Sequence, residues 1–161
     1  MKIIKVSTNL QMTLHDFPEG TYEQQNEYLR SLIGNGCRIY ELVLPRRLYS
    51  ELHMREAASN IPGQCVSMLM DEEALLKKNV KNDVGSYLYE TDKHGHPIMG
   101  NILFVGNEWR EEWTDEWIDF CGIEESVQKD LEEKLNNMIR IMERTKFKRS
   151  EQRRSHEQQK Y

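Results

Sequence analysis

Residues 124–148 carry one helical pattern that constrains the rest of the chain. Leu131, Leu135, Met138 and Met142 recur at spacings of four, three and four, which places them on one side of an α-helix. With Ile139 on its flank, this seam is about two heptads long, too short to hold a coiled coil by itself. It has to be buried against something. Two occupants meet that demand: a sheet built by the rest of the chain, or a second copy, so a homodimer or a heteromeric protein partner is one expectation. Methionine suits adaptable contacts of either kind.

The preceding residues predict a small mixed sheet of about four strands with flanking helices, an α+β domain over residues 1–122. Ile3, Ile4 and Val6 between Lys2 and Lys5 read as a first strand. Residues 21–33 have helical periodicity in Tyr22, Leu29, Leu32 and Ile33, stopped by Gly34-Asn35-Gly36. Residues 37–44 alternate until Pro45 and predict a second strand, with a short helix over 46–53. Residues 64–70 predict a third strand running into Asp71-Glu72-Glu73, and 102–105 a fourth after the turn signals of 92–97. Thr114 reads as an N-cap, with Asp115 and Glu116 in the first turn and Trp113 stapled onto Ile118, so a short helix is expected up to Gly122. Residues 149–161 are rich in Gln, Arg, Ser and Glu and predict a disordered basic tail.

The order of these parts resembles a small domain-of-unknown-function family found in bacteria, phages and plasmids, and sporadically in eukaryotic and viral genomes. The residues that carry the likeness are the Lys-flanked first strand, Ile33-Gly34, residues 39–44, Met68-Leu69-Met70-Asp71-Glu72-Glu73, Asn82, and the Ile98 to Gly106 segment with its Ile-Leu-Phe-Val-Gly end. The match spans residues 1–122; the long 45–64 connection and the charged C-terminal helix depart from it. The resemblance implies a small α+β fold and an accessory or anti-defence role on mobile elements. It carries no activity over to particular residues.

Charge is segregated along the chain. Residues 108–133 hold 11 acidic and two basic residues, whereas 140–161 hold eight basic and three acidic, so a total of −5 hides −10 in residues 1–139 and +5 beyond. Such blocks concern partners and solubility rather than catalysis. The basic tail invites contact with nucleic acid, or nuclear import in a eukaryotic host. Three cysteines far apart, no Cys-x-x-Cys and 30% charged residues point to a reducing, cytoplasmic setting. No apolar run approaches the roughly 18 residues of a membrane span.

No catalytic motif is complete, so a non-catalytic protein without metal or cofactor is expected. Asp71-Glu72-Glu73 can serve a metal or acid–base chemistry, or the dipole of a helical turn. His94 and His96 across a glycine form half a metal site, or an exposed turn. Gly34-Asn35-Gly36 and the Gly100 and Gly106 segment can admit a phosphate to the backbone, though neither has a P-loop spacing. The cations placed for a small anionic ligand such as a nucleotide are Arg46, Arg47, Lys77, Lys78 and Lys81, and in the tail Lys146, Lys148 and Arg149. Trp109, Trp113 and Trp117, spaced by four among acids, read either as a recognition surface or as a cover over the core.

Overall fold

The strand that organises the molecule is β5 (Ile102–Glu112), because Ile102, Leu103, Phe104 and Val105 are all fully buried. A strand with alternate residues in two separate cores must be covered on both faces. The computed structural model describes residues 1–159 except Ala57 and Lys78. Lys78, one of the loop cations, and residues 160–161 of the expected tail lie outside the described residues. Around β5 the sheet has the order β2-β1-β5-β4-β3, from β1 (Lys2–Val6), β2 (Met12–Asp16), β3 (Tyr40–Val43) and β4 (Cys65–Asp71), and β6 (Asp115–Cys121) pairs with the distal half of β5.

Every ladder in this sheet is antiparallel. The expected α+β sheet of about four strands is present and extends to six, and all its ladders are antiparallel where a mixed sheet was expected. β2 escaped the sequence reading although Leu10, Met12 and Leu14 alternate with Gln11, Thr13 and His15; Thr13, Leu14 and Asp16 are on an exposed edge. The expected helix at 114–122 is a second correction. Glu112 and Asp115 face each other across the two-residue loop Trp113-Thr114, and residues 106–121 form a β-hairpin. A spacing of four fits one face of a helix and equally one face of a strand, so the tryptophans did not discriminate. Trp, Ile, Phe and Cys in 117–121 favour the strand.

One face is covered by α1 (Tyr22–Ile33). Thr21 starts it with a capping box, its Oγ1 accepting from the Gln24 backbone N–H at 3.1 Å while Gln24 Oε1 accepts from the Thr21 N–H at 2.9 Å. Gly34 ends it at φ +76, and Leu29 and Ile33 bury against Ile3, Leu69, Leu103 and Val105.

The opposite face takes α5 (Glu125–Gln159). Leu131 and Leu135 are fully buried, Met138 and Ile139 nearly so, in one core with Ile4, Met68, Ile102 and Phe104. Each leucine so buried is worth about 1.5–3 kcal/mol. Leu131 and Leu135 are thus covered by their own chain, which corrects their expected role as an interface with a second copy, while Met138 and the partly buried Met142 border an open groove. The helix also continues to Gln159 where a disordered tail was expected from 149. Docking supplies the nucleus, and Arg, Lys, Glu and Gln propagate a helix readily once it has started.

Smaller elements finish this face: α2 (Arg46–Ser50), a 3₁₀ turn at Ala74–Leu76, α3 (Asp83–Leu88) and α4 (Thr91–His94). Asn82, fully buried, anchors α3: its Nδ2 donates to Val6 O (3.1 Å) and Gly100 O (3.0 Å), and its Oδ1 accepts from the Gly85 N–H (3.0 Å).

Two directions follow from these joints. α5 leaves the sheet beside Gly106, where Glu124 N–H donates to Gly63 O at 3.0 Å. A side chain on Gly106 would collide with Gly122 O and the Gly63 Cα, so three backbones meet there without room for a Cβ. From that point α5 runs back toward the beginning of β5, since Lys146 reaches Asp83 at 2.7 Å next to the Gly100 anchor of Asn82. The β5–β6 hairpin leaves the other way, past Asn107, the last residue paired with β4. The Trp109 N–H still donates to Ser59 O at 2.8 Å, and from Glu108 to Glu112 the strand rises roughly 14 Å.

Candidate functional site

A concave surface lies between α5 and the α2–α3 pair, a groove of about 530 Å³. Its apolar floor is Leu52, Met138, Ile141 and Met142, and its α5 wall carries Lys134, Lys146 and Arg149. Glu51, Asp83 and Tyr87 form the facing wall. Helical periodicity explains why floor and cations belong together. The inward stripe that runs through Leu131, Leu135, Met138 and Met142 continues as Lys146, Arg149 and Arg153 where the body of the protein ends. Ile141, beside that stripe, is 63% exposed although it is a large aliphatic residue.

The facing wall is rigid. The Arg47 guanidinium is nearly buried and forks onto Asp92, with Nη2 to Oδ2 at 2.8 Å, while Nη1 also donates to Tyr87 O at 2.9 Å. It stands 4.5 Å from the centroid of the Tyr87 ring and pairs with Glu51 at 3.4 Å. The Tyr87 hydroxyl donates to Glu51, and that hydrogen bond, with burial, holds the hydroxyl above its ordinary pKa. The Arg47 hydrogen bond holds the Asp92 carboxyl below the usual carboxylate range. Arg47 is thus a clamp between α2 and α4, not a free contact for an anion, which corrects one expected role.

The other expected anion contacts are dispersed. Arg46 is exposed on α2, Lys148 is exposed on α5 outside the groove, and only Lys146 and Arg149 come together, beside residues read from sequence as an apolar interface. Lys77 is also taken, its Nζ donating to Asp71 at 2.6 Å and to the Asn35 and Gly36 carbonyls at 3.1 Å. The two glycine segments do meet: Gly34, Asn35 and Gly100 line one polar cleft with Thr8, Asn79 and Asn101. Its amides bond to one another and to backbone, as in Asn101 Nδ2 to Ile33 O at 2.9 Å, so the cleft is a structural knot.

The three tryptophans do not share a surface. Trp109 pairs with Ile118 and Trp117 with Arg110, which puts the two indoles on opposite faces of the hairpin. Trp113 is 97% exposed at the tip, with φ +59. The first position of such a two-residue loop is one that glycine fills without strain. Holding a bulky residue in a sparsely populated backbone region costs of order 1–3 kcal/mol. Glu111 lies opposite Glu116 and Glu112 opposite Asp115, so like charges face each other across the strands.

The nucleophile and metal readings find little chemistry. Burial pushes the Cys37 and Cys121 thiols up to about 11, which leaves scarcely any thiolate at neutral pH. His94 and His96 stack on each other on an exposed turn, with His94 against Tyr89. Among the described residues no group of three or more His, Cys, Asp or Glu is placed to hold a metal ion, and no helix is long and apolar enough to cross a membrane.

Sequence reasoning missed Leu52, Tyr87, Lys134 and Ile141. Leu52 follows the end of α2 and Tyr87 comes from α3, and neither carries a local signal. Lys134 and Ile141 were legible only as neighbours of the seam. No protein family, curated protein or solved structure matches this chain.

Proposed function

We infer that this protein is a non-catalytic binding module that holds a segment of another protein chain in the groove along α5. The observation that carries the reading is Ile141 exposed in a concave apolar floor with Met138, Met142 and Leu52, beside cations on one wall. Apolar concavity with a few convergent polar groups is the usual character of a binding site, and two methionines let the floor adapt to its guest. Lys134 is paired with Asp130 and Lys146 with Asp83, so Arg149 is the wall cation that favours an apolar anchor with a carboxylate beside it.

A random-peptide selection on the immobilised full chain tests this. Enriched sequences should share an apolar anchor beside Asp or Glu, and should bind Ile141→Asp at least roughly tenfold more weakly. Peptides that bind both proteins alike would remove the groove from the function.

A second reading rests on the outer half of α5, where Lys148, Arg153 and Arg154 stand exposed outside the groove. Such an arm suits nucleic acid held in a salt-dependent way. Retention of duplex DNA at low salt that is lost in Arg153→Glu with Arg154→Glu supports it; unchanged retention eliminates the arm.

A further inference from the structure

The chemistry that the groove selects is carried by the chain itself, at the opposite end of the molecule. Trp113 projects from the β5–β6 turn almost wholly exposed, in a backbone conformation suited to glycine. Four carboxylates surround it in two like-charged cross-strand pairs. Glu111 accepts from Trp109 Nε1 at 2.8 Å, while the fold makes no use of the Trp113 indole. A tip that is strained, apolar and acid-rimmed matches a groove that is apolar and lined with cations on one wall.

We propose that the β5–β6 tip of one copy docks into the α5 groove of a second copy. Trp113 enters the floor of Leu52, Met138, Ile141 and Met142, and the carboxylates of the tip meet Arg149, since Lys146 already pairs with Asp83 at 2.7 Å and Lys134 donates to Leu52 O and to Asp130 at 2.8 Å. This inference rests on the groove reading above. The groove's own acids do not oppose it strongly: Glu51 is tied to Arg47 and Tyr87, and Asp83 to Lys146.

Because the tip and the groove point away from each other, a copy does not close on itself. The contact is heterologous, joining the head of one molecule to the tail of the next, and it propagates into a ring or a filament. Tryptophan anchors set in desolvated pockets dominate such contacts. Charges at the edge make the association fast and sensitive to salt.

Sedimentation velocity of the full chain over a wide concentration range, at low and high salt, tests the proposal. The wild type should gain mass with concentration, less so at high salt. Trp113→Ala and Ile141→Asp should each weaken association by roughly thirtyfold or more, and both should keep the wild-type circular dichroism spectrum, because each position is exposed. Mixed together they should form a dimer that does not grow, since one variant keeps a groove and the other a tip.

A wild type that stays monomeric throughout, a Trp113→Ala protein that associates like the wild type, or a mixture that forms no dimer would each overturn the proposal. Peptide selection separates the two claims. If self-association fails while peptides still bind the wild type and not Ile141→Asp, the groove stands and its guest is another protein. If both fail, the groove reading falls as well.

Discussion

Replacing Asn82 probes the joint that places α3, and with it one wall of the groove. The fully buried amide makes three hydrogen bonds: two from Nδ2, to Val6 O at 3.1 Å and Gly100 O at 3.0 Å, and one accepted from the Gly85 N–H at 3.0 Å. At about 1 kcal/mol net for each, Asn82→Ala should lose about 3 kcal/mol, a large share of a typical stability of roughly 5–15 kcal/mol. Asn82→Asp keeps the acceptor for Gly85 but turns an oxygen toward two carbonyls, so at neutral pH it should lose at least as much. Burial raises the folded-state pKa of the introduced carboxyl above its unfolded value. The folded state then binds the extra proton more tightly, and the deficit of Asn82→Asp should shrink as the pH falls toward about 4 and grow as it rises. Urea unfolding followed by far-ultraviolet circular dichroism at several pH values measures both effects. A loss below about 1 kcal/mol for Asn82→Ala, or a deficit of Asn82→Asp that does not depend on pH, would refute the reasoning.

Leu135 is fully buried beneath α5, so Leu135→Ala should lower stability by about 2–5 kcal/mol in the same assay. The pair Leu131→Asp and Leu135→Asp should unfold the protein rather than yield a folded monomer, as read by size exclusion and circular dichroism. Since Arg47 holds the Asp92 carboxyl below its usual range, that pairing stabilises the fold above the unfolded pKa and fades as the pH falls through the lowered one. Acid titration of Asp92→Asn should therefore show a smaller loss in that window than the wild type. With their thiols raised to about 11, Cys37 and Cys121 should react slowly with iodoacetamide in the native protein at neutral pH and quickly in urea. Mass spectrometry of timed samples reads the difference.

The strands at Lys2–Val6 and Cys65–Asp71 and the end of α1 at Gly34 were legible because each rests on local chemistry: short apolar runs and a glycine stop. The seam of α5 was legible as a face but not as a contact. Periodicity says that Leu131 and Leu135 are buried and is silent on what covers them. The hairpin failed for a related reason, since Trp109, Trp113 and Trp117 satisfy two periods at once. At the candidate site, Lys146 and Arg149 had been noted as cations, Met138 and Met142 as apolar. Their convergence with Leu52 and Tyr87 depends on α2, α3 and α5 meeting across the sheet, which no single window of sequence contains.

The pairing of β1 with β5 has a consequence for how the chain emerges during synthesis. Ile4 lies opposite Phe104 and Val6 opposite Ile102, so the first strand waits for a partner made about a hundred residues later. Its neighbour β2 is adjacent in sequence, and the β1–β2 hairpin closes early, but the other edge of β1 stays open until β5 arrives, and its Ile4 and Val6 face until α5 does. Non-local pairing of this kind slows folding and prolongs the exposure of adhesive backbone. Ile3 and Ile4 sit between Lys2 and Lys5, and two charges on so short an apolar run discourage nascent chains from pairing with one another. The lysines that frame the first strand thus guard it during the interval in which it has nothing of its own to hold.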